Sequence, residues 1–342
     1  MESVLITGLG LVTSIGHDRA TVTRALQELR SGIVPWDPLP GVTLPVKVAG
    51  TLKGFDLTGV DPAGWSYPDG LNIDRQTARS LAPHGACAVL AVQQALAEAE
   101  LNVEDLNDGR TGLACASGGS PEVMYRRISA MERTGWQRGH PLGVVASVAG
   151  TLNFNLAAWL GIRGANCGFV SACASSAHAL GYACDAIRLG RQDRMIVVGA
   201  EDLNVAMLLP FHAMGALSLE TAPARASCPF DAGRNGFAGT GGAAVLILES
   251  ASAAARRSAP RLARLAGWGE AADGFSIAAP HPEGDGVARA MALALTDAGV
   301  TPDEVGWVNA HATSTPAGTG PRRWRCTVFS GRTVPLFPAP RP

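Results

Sequence analysis

Two short stretches of this chain echo one another. Residues 170–176 read Val-Ser-Ala-Cys-Ala-Ser-Ser and residues 308–314 read Val-Asn-Ala-His-Ala-Thr-Ser, so that Cys173 and His311 occupy the same place in one pattern. Each stretch follows a short apolar run of the kind that forms a buried strand. The echo predicts a duplicated fold, in which equivalent strand ends present a thiol in one half and an imidazole in the other.

The remainder of the chain has the rhythm that such a fold needs. Strands are expected at residues 4–7, 111–116, 169–171, 195–198, 243–248, 261–268 and 305–309, and helices at 81–100, 122–133, 144–160, from 177 onward, and at 286–298. Ala177, Leu180, Cys184 and Ile187 recur at steps of three and four, which marks one helical face. Runs as continuously apolar as residues 243–248 are typical of strands covered on both sides. The fold class is therefore α/β, layered, with at least one covered sheet. Residues 34–65, rich in proline and glycine, read as a surface excursion. By sequence, residues 1–255 form a first half holding the cysteine, residues 256–318 a partial second half, and residues 319–342 a tail without helical or strand period.

Composition narrows the function. Of 342 residues, 47% are hydrophobic and 17% charged, which excludes an intrinsically disordered chain. Lys+Arg at 28 against Asp+Glu at 29 leaves no basic surplus for nucleic acid or an anionic membrane. No apolar run approaches the roughly 20 residues of a membrane span, and the N-terminus has no basic-then-apolar leader, so a cytoplasmic location is expected. The seven cysteines form no Cys-x-x-Cys pair, which argues against a zinc centre or redox dithiol. His17, His84, His140, His178, His212 and His281 share no motif. No metal and no cofactor are expected, and each cysteine is expected as a free thiol in a reducing compartment.

Cys173 follows a strand end and precedes a helix. A thiol in the first turn of a helix faces unsatisfied N–H groups and the positive end of the dipole, which favour thiolate. Ala172, Ala174 and Ser175 leave room for an acyl group, and attack on a carbonyl would store that group as a thioester. His311, beside Thr313, Ser314 and Thr315, has the chemistry to donate a hydrogen bond to a developing oxyanion or enolate.

These residues sit in motifs that resemble a β-ketoacyl-ACP synthase of the KAS I/II type, a condensing enzyme of the thiolase-like superfamily. The matching motifs are Ile-Thr-Gly-Leu-Gly-Leu-Val-Thr-Ser-Ile-Gly at 6–16, Ser-Gly-Gly-Ser-Pro at 117–121, Ser-Ala-Cys-Ala-Ser-Ser-Ala-His at 171–178 and Ala-Met-Gly-Ala-Leu-Ser at 213–218. They continue with Pro-Phe-Asp-Ala-Gly-Arg-Asn-Gly-Phe at 229–237 and Val-Asn-Ala-His-Ala-Thr-Ser-Thr-Pro at 308–316. The resemblance implies a thiolase-like αβαβα fold of two similar halves, a homodimer or a heterodimer with a related synthase, and acyl carrier protein as partner. It implies acyl transfer onto Cys173, then decarboxylation of malonyl-ACP and Claisen condensation, in fatty acid or polyketide biosynthesis. His311 matches the first of two catalytic histidines. Thr313 and Thr315 match the positions that hold the phosphopantetheine arm, Phe211 falls near the acyl pocket, and Arg133 and Arg138 fall near a basic patch for the carrier protein. A thiolase fits the cysteine and histidine motifs less well.

The chain also departs from that pattern. The family has a lysine and a second histidine in a later Ser-x-Thr-Lys segment, and a late Gly-Phe-Gly loop, whereas here no lysine follows Lys53 and no histidine follows His311. From Gly318 onward the sequence holds five arginines and five prolines with no acidic residue. GC-rich codons permitted for this stretch can, with one added base, be read as a sequence like the family's, so a change of reading frame near Gly318 is expected. A second half left incomplete would impair condensation. It also opens an alternative role, as a non-catalytic partner or scaffold dimerising with an intact ketosynthase.

Overall fold

The computed structural model describes residues 2–59, 61–69, 71 and 73–316. The expected tail at 319–342 lies outside the described residues. Among the described residues eight strands are formed: β1 (Val4–Val12), β2 (Ile33–Pro35), β3 (Val48–Gly50), β4 (Thr111–Ala116), β5 (Asn166–Phe169), β6 (Arg194–Glu201), β7 (Gly242–Ser250) and β8 (Ala263–Leu265). The α-helices are α1 (Arg19–Gln27), α2 (Arg75–Ala78), α3 (Pro83–Glu98), α4 (Pro121–Thr134), α5 (Gly143–Ser147), α6 (Leu152–Leu160), α7 (Ser175–Arg188), α8 (Val205–Ala213), α9 (Ala251–Arg256) and α10 (Asp285–Ala298).

The chain forms two compact units, each assembled from three segments. The first comprises residues 1–28, 51–207 and 240–265, and the second residues 29–50, 208–239 and 266–342. The first unit holds a six-stranded sheet in the order β5-β4-β6-β7-β1-β8. β4 runs parallel to both β5 and β6, while β6–β7, β7–β1 and β1–β8 are antiparallel.

β1 is longer than the apolar run at 4–7 predicts, because Gly8 and Gly10 do not end the strand; they admit a helix. A Cβ at Gly10 would stand 1.8 Å from the Ala91 carbonyl oxygen of α3, and one at Gly8 would stand 2.3 Å from that of Ala95. α3 begins with Pro83 in its first turn, where the missing N–H costs nothing. Most of its length is buried, including Ala86, Leu90, Ala91 and Ala95. β8 pairs with β1 only over Val4–Ile6. Beyond that point α3 side chains take over: Leu9 N–H donates to Glu98 Oε2 (2.8 Å) and Leu11 N–H to Gln94 Oε1 (3.0 Å). Strand amides that would otherwise form an open edge are thereby satisfied.

One charged cluster is buried in this unit. Glu249 of β7, with 0% exposure, accepts from Arg194 Nε (3.1 Å), Arg257 Nη2 (2.5 Å) and Thr7 Oγ1 (2.8 Å). Thr7 is the residue at which the β1–β7 register shifts. Burial pushes the Glu249 carboxyl up, but the Arg257 hydrogen bond, the Arg194 charge and the Thr7 hydroxyl outweigh it and hold the group below its ordinary value.

Several expectations need correction. The helix expected at 144–160 is two helices, α5 and α6, parted by a break in which Gly150 takes φ +76°. The expected α7 face holds at Cys184 and Ile187, but Ala177 is exposed; Ala179, Gly181 and Ala183 complete the buried side. The excursion at 34–65 contains a hairpin, β2–β3, and buries Leu44, Val46, Val48 and Ala49 of the second unit. Residues 305–309, expected as a strand, carry a single bridge residue, Val308; a strand persists only where neighbouring strands extend its ladder.

Gly10→Ala is expected to destabilise the protein by about 2–3 kcal/mol, because the new methyl group meets helix backbone that cannot rotate away. Glu249→Ala, which strands Arg194 and Arg257 without their carboxylate, is expected to cost about 3–5 kcal/mol. Urea unfolding midpoints read both.

Candidate active site

β4, β5 and β6 are parallel, and Ala116 lies in register with both Phe169 and Gly199. Three segments therefore leave the first unit's sheet at one end: residues 117–121 after β4, residues 171–176 after β5, and Glu201–Asp202 where β6 finishes. The carboxyl ends of parallel strands are where α/β sheets bind ligands.

Cys173 stands between β5 and α7. The helix is capped at Ala174, so the thiol-bearing residue lies just before the first turn and not within it, as the sequence had indicated. The displacement comes from the turn itself. Ala172 adopts φ +51°, a left-handed conformation that costs a non-glycine residue about 1–3 kcal/mol. The turn closes through Ala174 N–H to Ser171 O (3.1 Å) and Ser175 N–H to Ala172 O (3.1 Å). Ser176, in the first helical turn, sits over β6: a Cβ at Gly199 would come within 2.5 Å of Ser176 Oγ. That missing methyl group lets the helix start lie close to the sheet.

Among the described cysteines, Cys173 is the exposed one. Cys87, Cys115 and Cys184 are buried, and Cys167 and Cys228 are partly covered. Burial pushes the Cys87 and Cys115 thiols up, which keeps them protonated and unreactive.

Behind the loop at 117–121 lies a polar cluster that sequence reading missed. Gly118 N–H donates to Glu201 Oε1 (2.6 Å), and Ser120 Oγ donates to Asp202 Oδ2 (2.5 Å). Asp202 is only 6% exposed, and burial pushes its carboxyl up to about 6 in spite of hydrogen bonds from Ser120, the His84 backbone and Asn204. His84, also buried, has its imidazole pushed down to about 4 by desolvation. The available signal was Ser120-Pro121, a cap residue followed by proline at the helix start. Asp202 had none, since its partners Ser120 and His84 come from distant segments.

In the second unit three of the quoted motifs knit together. Ser314, 1% exposed and at φ +65°, accepts at Oγ from Cys228 N–H (2.9 Å), and its carbonyl accepts from Gly236 N–H (3.0 Å). Ser218 N–H donates to Phe237 O (3.0 Å) and Ser218 Oγ to Asn235 Oδ1 (2.8 Å). With Ser314 turned inward, Thr313 and Thr315 have their hydroxyls 3.1 Å apart. His311 is exposed. Phe211 is exposed as well and meets Phe237 edge to face at 5.3 Å. In the first unit, Arg133 is exposed on α4, and Arg138 ends the short 3₁₀ segment that follows. Among the described residues no three His, Cys, Asp or Glu side chains gather as metal ligands, and no helix is long and apolar enough to cross a membrane.

Residues 1–254 match the family described as beta-ketoacyl synthase, N-terminal domain, and residues 262–319 match beta-ketoacyl synthase, C-terminal domain. The chain is 36% identical over 323 residues to 3-oxoacyl-[acyl-carrier-protein] synthase 1 of Escherichia coli strain K12, covering 93% of this chain and 75% of that protein. Its fold is similar to a crystal structure of a beta-ketoacyl synthase from Burkholderia phymatum STM815 (TM-score 0.85, 30% identity, 97% of this chain and 79% of that one). It is also similar to the ishigamide ketosynthase/chain length factor (TM-score 0.84, 26% identity, 96% and 78%). The fold is thus of the thiolase-like ketosynthase class. The chain belongs to the β-ketoacyl synthase family, whose curated relatives are condensing acyltransferases.

The buried pair predicts opposing pH effects. Asp202 has a folded value above its unfolded value of 3.8, so its burial costs stability as pH rises from about 4 through 6 and costs it fully above. His84 has a folded value below 6.5, so its burial costs stability as pH falls from 6.5 toward 4. Asp202→Asn is expected to raise stability above pH 6 by about 1–2 kcal/mol, after loss of the charge-assisted Ser120 bond. The gain should vanish near pH 4 in urea titrations run across that range.

Proposed function

We propose that this chain accepts an acyl group on the Cys173 sulfur and condenses it with a malonyl unit. The observation that carries this reading is the exposure of Cys173 alone among the described cysteines, at a strained turn between β5 and α7. Membership in a family whose relatives are named 3-oxoacyl-[acyl-carrier-protein] synthases supports the substrate class.

The sulfur attacks the thioester carbonyl of an acyl group carried on acyl carrier protein or CoA. A new S–C bond forms, the donor's C–S bond breaks, and the donor thiol leaves with a proton. Malonyl-ACP then loses carbon dioxide. The electron pair of the broken C–C bond forms a C–C bond to the carbonyl held on Cys173, and the cysteine leaves as thiolate. His311 donates a hydrogen bond to the enolate oxygen that develops during decarboxylation. Thr313 and Thr315 hold the phosphopantetheine arm, Phe211 borders the acyl chain, and Arg133 and Arg138 receive the acidic carrier protein. In this reading residues 1–255 and 256–318 are the two halves, the working unit is a dimer, and the compartment is the cytoplasm.

A second reading is a non-catalytic partner of an intact ketosynthase. A ketosynthase paired with a chain length factor is among the structures that this chain is similar to. Malonyl-ACP decarboxylation separates the two: carbon dioxide released by this chain alone supports the first, and no release alone but a rate with an intact synthase above that of the synthase by itself supports the second.

Incubation with octanoyl-CoA is expected to add one octanoyl mass to the chain, mapped by peptide mass spectrometry to Cys173 and absent from Cys173→Ala. His311→Ala is expected to retain the adduct and to lower decarboxylation about a hundredfold. An adduct on another cysteine overturns the assignment of Cys173.

A further inference from the structure

The turn that carries Cys173 is held by more than its backbone. Ser171, two residues before the cysteine, shares a hydrogen bond through Oγ with Nδ1 of His178 at 2.6 Å. His178 lies at the end of the first turn of α7, so this bond ties the strand side of the turn to the helix that follows it. Ser175 adds two further contacts: its Oγ accepts from Ser171 N–H (2.8 Å) and donates to the Ala172 carbonyl (2.7 Å). Between these ties stands Ala172 at φ +51°. A non-glycine residue in that region relaxes to an extended or right-handed conformation unless its surroundings over-determine it. Here the hydroxyls of Ser171 and Ser175 and the imidazole of His178 supply that determination.

We infer that Ser171 and His178 form a positioning brace, which with Ser175 holds the strained turn at Ala172 and so fixes the Cys173 sulfur for attack on an acyl thioester. The inference rests on Cys173 being the acyl acceptor. Neither residue touches the acyl group in this scheme. Both act through the geometry of the turn, where a displacement of about 1 Å can cost a large factor in rate without changing how tightly the substrate is held. The brace and the thiol share one short stretch of chain, residues 171–178.

The test uses the full-length chain and two probes, octanoyl-CoA and iodoacetamide, with Cys173 followed by peptide mass spectrometry. Ser171→Ala and His178→Ala are each expected to slow octanoylation about tenfold or more with the half-saturating octanoyl-CoA concentration unchanged. The double variant is expected to be no slower than either single one, because the two residues act as one unit. His178→Asn, whose amide group overlays the Nδ1 position, is expected to restore most of the rate, which a general loss of folding would not permit. Near-wild-type octanoylation in Ser171→Ala or His178→Ala overturns the brace, as does additive loss in the double variant or failure of His178→Asn to rescue. The iodoacetamide arm keeps the two ideas apart. If wild-type Cys173 is alkylated but never octanoylated, the acyl-acceptor reading falls. The brace is then judged by alkylation rate alone: a several-fold change in both alanine variants, reversed in His178→Asn, supports it, and unchanged rates overturn it.

Discussion

Two absent β-carbons set the frame on which the first unit is built. Gly8 and Gly10 let the α3 backbone come against β1 at distances that no side chain would permit. The alanines of α3 keep the other side of that contact equally thin. With the helix seated there, Glu98 and Gln94 reach the amides of Leu9 and Leu11, so the same contact that buries apolar surface also satisfies the strand's backbone. β1 then pairs with β7 along its length, β7 with β6, and β6 with β4. The ends of β4, β5 and β6 are carried into position by this chain of ladders.

The acyl acceptor proposed at Cys173 needs exposure, room and a fixed direction, and the fold supplies each from a different source. Exposure follows from the place of Cys173 beyond the end of β5, while Cys87, Cys115 and Cys184 are buried in or beside helices and strands. Room comes from the small residues beside the cysteine, Ala172 and Ala174, both exposed. Direction comes from a turn held in a conformation that alanine disfavours. Strain of this kind persists at functional sites because neighbouring bonds over-determine it. A buried carboxylate, Asp202, and a buried neutral histidine, His84, sit behind the same strand ends and are tolerated because hydrogen bonds and neutralisation offset most of the cost of burial.

Much of this was legible in residues alone. The apolar runs located β4, β6 and β7 closely, because continuous apolar sequence is a local effect. Local reasoning failed where distant partners decide. Gly8 and Gly10 look like strand breakers until α3 is known to need the space. Residues 144–160 look like one helix until Gly150 turns the chain. Val308 looks like part of a strand, yet a strand is defined by its neighbours.

The sequence by itself determined the family, the α/β class and the pairing of Cys173 with His311 as equivalent positions in an echoed motif. These depend on residue identity and spacing, which need no partner to be read. Only the tertiary structure decided that Cys173 precedes its helix, that Ser171 and His178 tie its turn, that Ser314 anchors the loop bearing His311, and that Asp202 is buried against Ser120. Each of these is a contact between groups whose distance in space is set by packing, and packing is a property of the whole folded unit, not of any segment in it.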